Sequence, residues 1–214
     1  MSSGAPGTND DSCVIERLGP NADTDASPTG SDQLGKVTSL PYGSYSCPDA
    51  AVIPLLGRSE AAMIKDMIGG YQAGGSTAGH IGTSWGWYLL SPSWASVLPS
   101  ASVPAPYGEK NLTKAMLIMT DGLFNTSYVS GPHTDPTAQV EESYTHFQSL
   151  CDGAKAKGIS IYTVGFDLND ARALDELKGC ASSPTNFFDA KSGADLKAAF
   201  KAVADKLNTL RVAS

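Results

Sequence analysis

The chain has 214 residues, a net charge of −7 and a sequence pI near 4.8, with 41% hydrophobic and only 17% charged residues. That length suits one domain, and the acidic balance argues against a nucleic-acid or anionic-membrane surface. No window matches the roughly 20 apolar residues of a membrane-spanning helix. Residues 1–11 lack the basic and apolar regions of a signal peptide. Either the protein stays where it is made or the chain is a piece of a longer one.

Residues 1–46 are rich in Gly, Ser, Asp, Thr and Pro, and only Cys13-Val14-Ile15-Glu16 could make a short strand. They read as an irregular, loop-rich segment set before an α/β domain over 47–214, a functional insertion or partly mobile. Asp25-Ala26-Ser27-Pro28-Thr29 falls within it and reads as a loop.

Ser59 starts a helix on which Ile64, Met67, Ile68 and Tyr71 form one apolar face. After the glycine-rich turn Gly74–Thr77, a second helix is expected from about Ala78 to Leu90, with Ile81, Trp85, Tyr88 and Leu89 on its buried face. Gly79, Gly82 and Gly86 cost helix propensity and suit a helix lying close against a sheet. Of Trp85 and Trp87, one is expected in the core and the other over a loop. Pro92, Pro99, Pro104 and Pro106 enforce a loop over 91–108, with Trp94 packed beneath it.

Met116–Met119 is a continuous apolar run, which suits a strand buried on both faces in the middle of a parallel sheet. It ends in Thr120-Asp121-Gly122, where open α/β sheets put their ligand crevices. After a polar loop, Val140, Tyr144, Phe147, Cys151 and Ala154 mark a helix over 139–157, closed by Gly158. Ile159–Phe166 is a second strand. Asn169 or Asp170 caps a short helix, and Asn186–Ala190 is a third strand. Ser192 and Asp195 open a last helix as a variant capping box. Strands alternating with amphipathic helices mean a mainly parallel, doubly wound α/β sheet with helices on both faces.

Cys13, Cys47, Cys151 and Cys180 show no metal-ligand spacing. Three disulfide pairings are open, and four separate buried thiols is a further reading. Cys13–Cys47 and Cys151–Cys180 is the favoured pairing, since one pair flanks an irregular segment and the other a helix–strand–helix unit. His80, His133 and His146 also lack ligand spacing and are read as solvated or core-edge.

Thr77 at the head of a helix and Asp121 beyond a strand are hard oxygen ligands of the kind Mg2+ uses. Each also has a plain structural reading: Thr77 as a helix N-cap, Asp121 as the cap of an Asp-Gly turn. Asp167 lies on the same sheet edge and reads as a cap. Gly82-Thr83-Ser84-Trp85-Gly86 fits the serine-hydrolase pattern, with Asp121 and then His133 or His146 completing the order. The pattern needs a strand directly before the serine, and Ser84 falls inside a helix.

The combination Gly75-Ser76-Thr77, Trp85-Gly86-Trp87-Tyr88-Leu89-Leu90-Ser91-Pro92 and Met119-Thr120-Asp121-Gly122 resembles a von Willebrand factor A domain. More narrowly, it is similar to the TadG-like proteins of tight-adherence (Flp) pilus systems. Cys13–Arg17, Cys47-Pro48, Ile161–Phe166, Cys180-Ala181 and Leu210-Arg211 belong to the same resemblance. It implies a non-enzymatic adhesion or pilus-assembly module in the cell envelope, with a protein partner or surface ligand. The family's membrane anchor is expected to be absent here.

The resemblance also implies a metal-ion-dependent adhesion site. Thr77 and Asp121 match two of its three parts, and the first strand with its Asp-x-Ser-x-Ser loop is missing. The chain is therefore expected to be an incomplete domain with an open position beside its first buried strand. It should bind Mg2+, Mn2+ or Ca2+ weakly or not at all. A metal-free protein-interaction domain is the alternative.

Overall fold

The buried apolar runs form one parallel sheet in the computed structural model, which describes residues 14–29, 34–36, 51–72, 74, 76–128 and 136–212. In chain order the strands are β1 (Val14–Arg17), β2 (Leu34–Lys36), β3 (Ala115–Thr120), β4 (Ser160–Phe166) and β5 (Phe187–Ala190). The helices are α1 (Ala61–Gly69), α2 (Gly79–Tyr88), α3 (Pro136–Ala156), α4 (Ala171–Cys180) and α5 (Gly193–Val212). Strands β3, β4 and β5 pair in that order, with Met116 opposite Ile161 and Val164 opposite Phe188.

Alternation along the strands sends side chains to two cores. Met116, Ile118 and Ile161 join Trp87 of α2, Phe147, Leu150 and Ala154 of α3, and Leu177 of α4. Leu117, Val164, Phe166 and Phe188 meet Leu196 and Ala199 of α5 on the other face. Helices thus flank the sheet on both faces.

Met116–Met119 suits mid-sheet by composition but does not sit there, and the open position expected beside the first buried strand is present among the described residues. Among the described residues β3 pairs only with β4 and forms the sheet edge. Met119 is 51% exposed, whereas β4, the central strand, buries five consecutive residues. A continuous apolar run has the same composition in either place; the number of neighbours decides which side chains are covered.

Local signals were accurate at several ends. Asp170 caps α4 by accepting from the Ala173 amide at 2.8 Å. Ser192 accepts from the Asp195 amide at 3.2 Å and donates to the Asp195 carboxylate at 2.7 Å. Gly158 follows α3 with φ +79°, a conformation that disfavours any Cβ. Cys151 and Cys180 form a disulfide that joins α3 to α4, both side chains fully buried. The Cys13–Cys47 pairing lies outside the described residues, as do Gly75 and His133.

Helix α2 departs from its expected face. It buries His80, Thr83, Ser84, Trp87 and Tyr88, while Ile81, Trp85 and Leu89 are only half-buried. Thr83 and Ser84 hide their hydroxyls by donating to the carbonyls of Gly79 and His80 at 2.9 Å each. Close approach sets this rotation. A Cβ at Gly79 would lie 2.1 Å from the Phe124 ring, and one at Gly86 would lie 2.7 Å from Met116 Sδ. Trp87 is the core tryptophan and packs onto Gly153 of α3. Trp94 stacks on Tyr88 with ring centroids 3.8 Å apart, beneath the proline-rich loop.

The N-terminal segment is less irregular than its composition suggests. Strands β1 and β2 pair antiparallel, and Ile15, Glu16, Arg17 and Asp25 are buried. Polar side chains attach this segment, so an apolar pattern does not reveal it. Tyr107 and Ser91 donate to the Asp25 carboxylate at 2.7 and 2.5 Å. Burial, and then that carboxylate, push the Tyr107 hydroxyl up to about 12.

Candidate functional site

The glycine-rich turn before α2 and the turn after β3 lie side by side. The Asn125 side-chain oxygen accepts from the Thr77 amide at 2.8 Å, and the Asn125 amide donates to the Thr77 carbonyl at 2.9 Å. This two-way clasp brings Thr77 close to Gly122, where an added Cβ would lie 4.0 Å from Thr77 Oγ1.

Neither plain structural reading of these residues describes the geometry. The residue at the N-cap of α2 is Ala78, with no side-chain cap bond, so Thr77 is not the cap. The turn after β3 is closed by Thr120. Its hydroxyl accepts from the Gly122 amide at 3.2 Å and donates to the Gly122 carbonyl at 3.0 Å. The Asp121 carboxylate is exposed and has no hydrogen-bond or ion-pair partner among the described residues. The half-buried Thr77 hydroxyl likewise makes no hydrogen bond among them.

Two hard oxygen donors therefore stand free beside one turn. Thr77 and Asp121 could hold part of a divalent cation's shell and leave most positions open. Among the described residues, no group of three or more His, Cys, Asp or Glu side chains could hold a metal ion. Asp25 is committed to Ser91 and Tyr107, consistent with the loop reading of residues 25–29. Asp167 is exposed at the end of β4, and the α4 cap is Asp170 instead. Ser84 lies inside α2, bonded to its own helix, and not at a strand-to-helix elbow.

A second polar cluster was missed by sequence reasoning. His80 is 1% exposed and fully within the core, not at its edge. Its Nδ1 lies 2.8 Å from Ser143 Oγ of α3, and its Nε2 lies 3.3 Å from the buried Glu16 carboxylate. This Ser–His–Glu chain resembles a catalytic relay, but Ser143 is sealed from solvent and no substrate could reach it. Asn125 was missed as well. These residues come together only through the fold, and no spacing in the sequence links Glu16 to His80 or Asn125 to Thr77.

Among the described residues no helix is long and apolar enough to cross a membrane. No family model and no curated protein matches the chain. Among solved structures, the chain is similar to the pilus adhesin SpaC from Lactobacillus rhamnosus GG, with 16% identity and a TM-score of 0.49. That match covers 72% of this chain and 21% of the adhesin.

Proposed function

We propose that this chain is part of a von Willebrand factor A domain of the TadG-like kind, a non-enzymatic adhesion or assembly module of the cell envelope. The observation that carries the proposal is the juxtaposition of the free Thr77 hydroxyl and the turn bearing the free Asp121 carboxylate. In this reading both oxygens serve one divalent cation, whose open positions take a partner's carboxylate or similar oxygen ligand. Further side-chain ligands come from a segment that pairs with the free side of β3. The buried Cys151–Cys180 disulfide suits the oxidising setting such a module occupies.

The exposed apolar side chains of α1 favour a second reading, a metal-free protein-interaction domain. Calorimetric titration with Mg2+ and Mn2+ separates the two. The incomplete site predicts weak or no binding to the chain alone, and a chelator-sensitive partner interaction once the free side of β3 is filled. Micromolar binding to the chain alone, lost in Asp121→Ala, would overturn the incompleteness. Partner binding unchanged in both chelator and Asp121→Ala would favour the metal-free domain.

A further inference from the structure

Segment 14–29 is attached to the helices largely by carboxylates that face histidines. Glu16 Oε1 lies 3.3 Å from His80 Nε2 on α2, accepts from Ser127 Oγ at 3.2 Å, and accepts from the Tyr128 amide. Asp23 Oδ1 lies 2.5 Å from His146 Nδ1 on α3. The two imidazoles are neighbours, with ring centroids 5.9 Å apart. Arg17 completes the attachment. Its guanidinium lies over the rings of Tyr88 and Trp94 and donates to the Ala26 carbonyl at 2.7 Å. The segment thus crosses two packed helices and is pinned to each by one carboxylate–histidine pair.

We propose that segment 14–29 is a pH-gated strap, gripped by these two pairs and loosened at the Asp23–His146 pair as pH rises.

The groups that face each partner give the direction. His146 meets Asp23 from the strap, Glu16 from β1, Glu142 from its own helix and His80 from α2. The Asp23 hydrogen bond, followed by the charges of all three carboxylates, holds its pKa above the ordinary histidine value, although burial opposes this. Glu16 faces His80, His146, Ser127 and the Tyr128 amide. Burial pushes its carboxyl up, but the neighbouring His80 imidazole and the Tyr128 amide together hold it below the usual range.

The signs follow from linkage. A histidine raised in the folded state contributes stability that is complete below its unfolded pKa and is lost as pH rises through the folded one. A depressed carboxylate contributes stability that is complete above its unfolded pKa and is lost as pH falls through the folded one. The strap is therefore fully seated from mildly acid to near-neutral pH, and its alkaline side opens through His146. Asp25 and Arg17 remain as attachments, so loosening is local and does not unfold the sheet.

Hydrogen exchange with mass spectrometry on the full chain tests this, with protection corrected for intrinsic rates at about pH 6 and about pH 9. Protection of residues 14–17 should fall several-fold at the higher pH, while that of β4 stays constant. Asp23→Asn keeps the shape of the half-exposed pair and removes its charge, so it should flatten the response. His146→Gln should do the same. In an NMR titration the His146 ring protons should report a pKa above that of free histidine. Equal protection at both pH values, a response that persists in Asp23→Asn, or a His146 pKa at or below that of free histidine would each overturn the proposal.

Discussion

Helices α1 and α3 carry comparable apolar stripes, yet they meet different fates. On α3, Tyr144, Phe147, Leu150, Cys151 and Ala154 are buried against the sheet, α2 and α4. On α1 no residue is buried, and Met63, Met67 and Ile68 are exposed, Ile68 at 56%. An amphipathic pattern says that a helix has a face to bury, and does not say that a partner is present. The difference lies in neighbours. Helix α3 lies over β4 and is bolted to α4 by a disulfide, whereas the described contacts of α1 are essentially with the short turn that precedes it.

The comparison can be broken from the α3 side first. Phe147→Ala empties a fully buried position between Phe124 and the sheet and should cost about 3–5 kcal/mol in urea unfolding. A loss under about 1 kcal/mol would mean that the α3 interface is not packed as described. Next in size is the disulfide. Cys151 and Cys180 are 29 residues apart, so replacing both by serine should cost about 3–4 kcal/mol through the freed unfolded chain. Thermal unfolding of the double variant checks this, and an unchanged midpoint would count against the bridge in solution.

The smallest effect belongs to α1. Ile68→Ser should change stability by no more than about 0.5 kcal/mol, because the side chain is already in water. A loss above about 1.5 kcal/mol would show that α1 is covered in solution, and the contrast with α3 would disappear.

Much of the sheet was legible in the sequence because its signals are local. The runs at 115–120 and 160–166, the caps at Asp170 and Ser192 and the stop at Gly158 each depend on residues a few positions away. The candidate site was half legible. Thr77 and Asp121 stood out by residue type and by their places at element ends, but their closeness depends on Asn125, which carries no such mark. The N-terminal strap was the least legible part. Its anchors Glu16, Asp23 and Asp25 meet partners between 64 and 123 residues away. Buried carboxylates among Ser, Asp and Thr look the same in sequence as a solvated loop.

The sequence by itself determined the secondary-structure order from α1 onward, the parallel class of the β3–β5 sheet and several helix ends. These follow from periodicity and capping, which short stretches of chain specify alone. The tertiary structure decided that α2 turns its polar side chains inward around Gly79 and Gly86. It also decided that His80 and His146 meet carboxylates from a distant strap. Those outcomes depend on which surfaces come within a few ångströms of one another. Burial and charge pairing act at that range, whatever the separation along the chain.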